Sequence, residues 1–262
     1  MSGDILIIRR ISEAFRRQDW FTVAVETLIV VLGVFLGLQV NNWNAARQEH
    51  ERAEVYAARL TAELEIEYEY INSLIAYARE TQEAGNVAYL GLSGQTGIDN
   101  ETILINAFRA SQYNWYERRR ATFDEIVASG ALALISDLQL REIAVGIYNT
   151  PLFSIMQEEG QSAEYRQLFR ETIEPAVHEK LRQTCGDIEI DTGGRALTLL
   201  TISYQCHAGL GEEDAAKAVL ALRAQSRTLP SLRLRNAQID GRTVDMESTL
   251  RTLGMDSRFG AP

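Results

Sequence analysis

The side chains that could carry chemistry in this chain are few and far apart along it. The three histidines, His50, His178 and His207, have no ligand-spaced partner of the His-Glu-x-x-His type. The chain also lacks a G-x-S-x-G nucleophile elbow, a P-loop and a Rossmann glycine fingerprint. We therefore predict no catalytic residue, no cofactor and no metal. An enzyme stays open as an alternative, because active sites are assembled in space.

Cys185 and Cys206 are the only cysteines, and their spacing fits no zinc or redox signature. Residues 186–204, between them, hold apolar runs on both sides of Thr192-Gly193-Gly194, a pattern typical of a β-hairpin. We predict a disulfide across the open end of this hairpin if the domain is exported, and two free thiols if it faces the cytosol. His207 follows Cys206 directly, but adjacent residues on a strand point apart, so no thiol–imidazole pair is expected.

Two charged clusters have competing interpretations. Glu63 and Glu67 lie one helical turn apart and could ligate a hard cation, but we prefer a solvated acidic face. The arginine run 118–120 could contact anionic lipid or an acidic partner, but we prefer charges that offset an acidic surface. The formal net charge is −10, and the sequence has no basic stripe of the kind that neutralises phosphates, so no nucleic-acid partner is predicted.

The stretch around which the chain is organised is residues 20–43. Between Phe21 and Val40 its only ionisable side chain is Glu26. A bilayer core needs roughly 20 apolar helical residues, and tryptophan favours the membrane–water interface at each end. The run is too long for a cleaved signal peptide and precedes no A-x-A site. We predict a transmembrane helix, with these residues at the membrane interface: Trp20, Trp43, Arg16 and Arg17.

One face of this helix consists of polar residues and glycines. Its members are Thr22, Glu26, Gly33, Gly37 and Asn44, which fall within about 60° of one another at 100° per residue. The two glycines form a GxxxG motif, which lets a second helix approach closely. A carboxylate at this depth has to snorkel, protonate or pair. Snorkelling toward Arg16 and Arg17 and a polar contact with a partner helix both stay open.

The basic residues near the two ends of the span favour a cytoplasmic amino terminus. Residues 1–19 are predicted to form an amphipathic tail at the inner interface and carry four arginines. Three arginines, Arg47, Arg52 and Arg59, follow the span over a similar distance. The bias of four against three, together with the shortness of the tail, predicts a single-pass protein of a bacterial inner membrane with its large domain in the periplasm.

The fold class predicted for the remainder is mainly α with one small β-hairpin. The transmembrane helix is expected to continue through a long juxtamembrane helix at 44–84, because apolar residues recur at steps near three and four: Ala53, Ala57, Leu60, Leu64, Ile71, Leu74 and Ala78. Residues 63–70 alternate with period two like a strand, but no turn signal brackets them. The mostly helical extracytoplasmic domain then spans 85–262.

Within that domain, glycines, prolines and helix-capping residues predict the boundaries of the helices. Glycines at 85, 91, 94 and 97 predict a loop over 85–98, followed by a helix ending near Tyr113. Capping boxes that begin at Thr122 and Ser136 predict helices at 123–129 and 137–149, with Gly130 as the residue just after the first. We also expect helix over 152–182, divided at Gly160 and Pro175, and over 212–223 and 230–253.

A resemblance can be stated on the anchor region. Arg16-Arg17-Gln-Asp-Trp20, Glu26, the run Leu28 to Asn44 (LIVVLGVFLGLQVNNWN) and Arg47 resemble a family of bacterial single-span proteins of unknown function. The similarity is specific over 9–60 and weaker over 122–148. It implies an inner-membrane anchor with a mostly helical domain and implies no activity.

These observations favour a membrane-anchored scaffold or accessory subunit. Its expected partners are the lipid bilayer and either a protein or a second copy bound through the transmembrane helix. The first alternative is a sensor or regulatory module that signals across the membrane through the long helix. The second is a membrane-tethered hydrolase, which would need a pocket with converging polar groups.

Overall fold

The structure is a computed structural model that describes residues 20–95, 97–193 and 198–260. The tail 1–19, with Arg16 and Arg17, lies outside the described residues, as does Gly194 of the predicted turn. The chain divides into two compact units, Met1–Val55 and Tyr56–Pro262. The described part of the first unit is entirely helical, and the second unit contains every other element.

Helix α1 runs from Trp20 to Leu92, so the predicted loop at 85–98 is shorter than expected. Gly85 and Gly91 are helical, and their bare backbones admit close neighbours. A Cβ on Gly85 would lie 2.2 Å from Asn236 Oδ1, and one on Gly91 would lie 2.4 Å from Ile103 Cγ1. Gly94 and Gly97, in the loop that remains, have φ values of +95° and +96°, which favour glycine.

Nine further helices follow in chain order, together with one short 3₁₀ helix, in the part of the chain that is described. They are α2 (Asn100–Ala110), α3 (Ala121–Ala128), the 3₁₀ helix (Ala131–Leu134), α4 (Leu138–Asn149), α5 (Leu152–Ser162), α6 (Glu164–Thr172), α7 (Pro175–Cys185), α8 (Glu212–Ala224), α9 (Thr228–Thr252) and α10 (Met255–Phe259). The mainly helical prediction is confirmed, and the period-two stretch at 63–70 is helix.

Between α7 and α8 lies the predicted hairpin. Strand β1 (Ile188–Ile190) pairs antiparallel with β2 (Leu199–Thr201), with Glu189 opposite Leu200. Gly193, in the turn, has φ +66°. The hairpin prediction is therefore confirmed at the level of pairing and order.

Several predicted boundaries are wrong for identifiable reasons. Gly160 does not end a helix. It lies inside α5, where a Cβ would come within 2.7 Å of the Tyr113 ring, and the helix ends at Ser162, just before Ala163. Pro175 begins α7, as expected of a proline in a first turn. Gly241 does not interrupt α9, since no atom approaches the space of its missing Cβ.

Two apolar cores fill the second unit. The first joins the end of α1 to α2, α6, α7 and α8 and is built from large buried side chains such as Phe108, Tyr165 and Phe169. The second joins residues 60–75 of α1 to α3, α4, the start of α5 and the end of α9. Both α1 and α9 contribute to both cores, so they form the common frame of the unit.

Candidate functional site

The apolar part of α1 is long and apolar enough to cross a membrane. Its most apolar window has a mean hydropathy of 2.4, and none of that window is buried by the rest of the chain. Trp20 and Trp43 at its two ends are exposed. A core helix of a soluble domain would be covered by its own chain, and this one is not.

The predicted contact face of this helix is open. Its five members are exposed: Thr22, Glu26, Gly33, Gly37 and Asn44. No heavy atom lies within 4 Å of the space that a Cβ on Gly33 or Gly37 would take, the helix's own backbone aside. Among the described residues of the chain nothing covers this face.

Cys185 and Cys206 are joined by a disulfide, with their Cα atoms 5.5 Å apart. Cys185 ends α7 and is buried in the first core, and the bond closes the segment that carries the hairpin. Arg109 of α2 donates to the Tyr204 carbonyl at 2.8 Å, and the Tyr204 hydroxyl donates to the Gly186 carbonyl at 2.6 Å. Because both cysteines are in the disulfide, neither offers a free thiol that His207 could activate. The His207 side chain is almost fully exposed.

Glu63 does not belong to a solvated acidic face, because it is buried and caps a helix. Its carboxylate accepts hydrogen bonds from the backbone N–H groups of Thr122 at 2.8 Å and Phe123 at 3.1 Å. Those are two of the orphan donors at the start of α3. The capping box predicted at Thr122 is therefore wrong: no neighbouring side chain caps α3, and a carboxylate from α1 does so instead.

Glu67 is fully buried and forms an ion pair with Arg118. Glu67 is therefore not part of a solvated acidic face, and Arg118 does not serve to offset an acidic surface. Arg118 donates to Glu67 Oε1 through Nε at 2.6 Å, and the Tyr116 hydroxyl donates to the same oxygen at 3.1 Å. Burial raises the pKa of Glu67, and the Arg118 charge lowers it only in part. The pair attaches the segment between α2 and α3 to α1.

A small cavity lies where α1 and α9 pass from one core to the other. It has a volume of about 60 Å³ and is bounded by α1, α5, α9 and residues 112–115. Its apolar and aromatic lining comes from Leu74, Tyr113, Trp115, Met156 and Ile239. The lining residues Glu159 and Arg242 have side chains 27% and 33% exposed.

Arg235 is the unusual group of this cavity. It is only 7% exposed, and its Nη2 atom donates to the Gln112 carbonyl at 3.1 Å. Its Nε atom is buried, and among the described residues it has no acceptor and the guanidinium has no carboxylate within ion-pair distance. Burial, with repulsion from Arg166, lowers the pKa of Arg235 to about 10. Within the described part of the chain, Arg235 is therefore a buried cation without a carboxylate partner.

The sequence analysis does not predict the burial of Arg118 or Arg235, although the position of Arg235 along its helix indicates it. Arg235 lies on the buried seam of α9, whose members recur at steps of three and four: Leu232, Arg235, Ile239, Thr243, Met246 and Leu250. An arginine on such a seam is a candidate for a buried charge. Arg118 lies outside any helix, so no comparable periodicity marks it. Among the described residues, no three His, Cys, Asp or Glu side chains converge as a metal site would require.

Comparison of the chain with protein-family models, with curated proteins and with solved structures gives no match in any of the three. What this chain does is therefore inferred from its own residues.

Proposed function

We propose that this chain is a membrane-anchored interaction protein, a scaffold or accessory subunit that associates with another transmembrane helix through the open face of α1. The observation that carries the proposal is that this face is uncovered and combines two bare glycines with Glu26 inside an otherwise apolar run. Close backbone approach at small residues and interhelical hydrogen bonds are the main sources of helix association in lipid.

The same proposal includes a location and an orientation. The span lies in a bacterial inner membrane, with residues 1–19 in the cytoplasm and the helical domain in the periplasm. Two features support this orientation: the larger number of arginines before the span, and the disulfide between Cys185 and Cys206, since disulfides persist in oxidising compartments. Alkaline phosphatase fused to the carboxyl end should be active in intact cells, and a cytoplasmic domain would leave it inactive.

Helix association is tested with the full chain in liposomes, by energy transfer between two fluorescently labelled pools. The double variant Gly33→Leu, Gly37→Leu places side chains where the partner backbone would lie. The matched control, Val31→Leu with Phe35→Leu, alters the opposite face of the same helix. We expect loss of transfer only in the glycine variant if the partner is a second copy. If the partner is another protein, the same variant should lose one defined co-purifying membrane protein that the control retains.

Two results would overturn the proposal. The first is a monomer that co-purifies with nothing and is unchanged by the glycine substitutions. The second is an equal effect of the glycine variant and its opposite-face control, which would show that lipid packing rather than a contact face is disturbed. Glu26→Ala separates the two roles of the carboxylate: a polar contact predicts about a tenfold loss of association, while snorkelling predicts none.

A regulatory role is the second candidate, and one observation favours it. The cavity around Arg235 is lined by Leu74, Tyr77 and Thr81, which belong to the same helix, Trp20–Leu92, as the apolar segment. A ligand in the cavity would therefore contact the element that carries the anchor. This candidate predicts that a cavity ligand changes association of the anchor, which the energy-transfer assay measures directly.

A further inference from the structure

In the described part of the chain, the carboxylates whose charge acts on Arg235 or on its neighbour Arg166 are already engaged. Glu159, which acts on Arg235, accepts from Arg242 Nε at 2.8 Å and from Nη2 at 2.7 Å. Asp187, which acts on Arg166, accepts from the Tyr77 hydroxyl at 2.6 Å. Neither makes an ion pair with Arg235.

Two other guanidinium groups lie around Arg235. Arg242 is balanced, because it pairs with both Glu159 and Asp245. Arg166 donates to the Ser111 carbonyl at 2.7 Å, its guanidinium lies 4.8 Å from the centre of the Tyr113 ring, and no described carboxylate lies within ion-pair distance of it. Of these three groups, Arg166 and Arg235 therefore lack a carboxylate partner among the described residues. A buried charge is retained at a cost unless it is paired, and an incoming anion would pair it.

We propose that this cavity is a binding site for a small organic monocarboxylate, whose carboxylate pairs with the guanidinium group of Arg235. The planar guanidinium is suited to the two oxygens of a carboxylate. The hydrocarbon part of the ligand would lie against Trp115, Met156 and Ile239, the apolar lining of the cavity. This site is separate from the anchor face and does not depend on the proposed association.

The cavity volume limits the size of the ligand. One water occupies about 10–15 Å³ on the same measure, so the cavity holds about four to six non-hydrogen atoms. That corresponds to a carboxylate of about two to four carbons by the same estimate. The apolar lining and the guanidinium of Arg235 favour a monoanion with a hydrocarbon part over phosphate, whose greater charge needs more donors.

The test uses the full chain in nanodiscs and measures calorimetric titration with acetate, propionate and butyrate at constant ionic strength. Phosphate and the neutral analogue propionamide are titrated in parallel. The principal variant is Arg235→Met, and its matched control is Arg233→Met, an exposed arginine on the same helix. A second variant, Ala78→Leu, fills the cavity from α1 and leaves Arg235 in place.

We expect saturable binding of at least one of the three carboxylates to the wild type and to Arg233→Met. Arg235→Met should weaken that binding by about 10- to 100-fold, the range for loss of a charge-assisted pair, and Ala78→Leu should weaken it as well. Propionamide should not bind. The proposal is overturned if none of the three carboxylates binds the wild type, if Arg235→Met binds equally well, or if phosphate binds more tightly than any of them.

Discussion

The ion pair between Glu67 and Arg118 offers the sharpest test of how the segment between α2 and α3 is held on α1. Glu67 is completely buried and the Arg118 side chain is 13% exposed. The guanidinium also lies 4.4 Å from the centre of the Phe153 ring. Substituting Glu67→Gln removes the negative charge and leaves Arg118 nearly buried without a counter-ion.

The cost of that substitution follows from desolvation. Removing one partner of a buried ion pair typically costs about 3–5 kcal/mol. Because Arg118 retains some contact with water, we expect the lower end, about 3 kcal/mol. Methionine at both positions leaves no buried charge to desolvate. Replacing both residues by methionine should therefore recover most of the loss and leave the protein within about 1 kcal/mol of the wild type.

Urea unfolding of the full chain in nanodiscs, followed by Trp115 fluorescence, measures these free energies. Trp20→Phe and Trp43→Phe in the background make Trp115 the only emitter. Glu65→Gln is the matched control, because Glu65 is exposed two residues away on the same helix. The reasoning is refuted if Glu67→Gln costs no more than this control. It is also refuted if the double methionine variant loses as much as the single variants Glu67→Met and Arg118→Met combined, since that would mean no coupling.

Three further predictions concern the frame of the second unit. Gly91→Ala should cost about 1–3 kcal/mol, because its Cβ would overlap a buried isoleucine, whereas Gly241→Ala, in open space, should gain about 0.5–1 kcal/mol in the same unfolding assay. Asp137→Ala should cost about 1 kcal/mol by removing the N-cap of α4. Because capping lowers the pKa of Asp137, the stabilisation by the cap should be lost as the pH falls through that lowered pKa. Asp137→Asn should keep the cap without this pH dependence. Cys185→Ala with Cys206→Ala should cost about 3 kcal/mol for a loop of this length, and an unchanged midpoint under reducing conditions would contradict it.

The sequence identified the elements whose signal is local. The apolar seam of α1 was predicted from spacing, and Leu60, Leu64, Ile71 and Leu74 are indeed buried. The antiparallel hairpin followed from two apolar runs around a glycine turn. Gly130, predicted to follow a helix, has φ +69° after Ser129. Each of these depends on residues within one or two turns of each other, where periodicity and turn chemistry are informative.

The wrong boundaries share a different cause, which is contact between distant segments. Gly85 and Gly91 were interpreted as loop residues because glycine weakens an isolated helix. In the structure they are the places where Asn236 and Ile103 approach the backbone of α1, so the same residue type continues the helix. The sequence could not separate the two roles, because the approaching residues lie 12 and more positions away.

The charged residues show the same limit more strongly, and they matter more for function. Glu63 and Glu67 look like one acidic helical turn, yet one caps α3 and the other pairs with Arg118, partners 51 to 60 residues away. Arg235 differs because its position on the apolar seam of α9 is visible in the sequence. A charge on a buried seam has to be paired from within the fold or from outside it. Arg118 is paired within the fold and is structural, while Arg235, beside a cavity, has no carboxylate partner among the residues that the structure describes. That contrast is the physical reason to look for a ligand at Arg235 rather than at the more conspicuous arginine run.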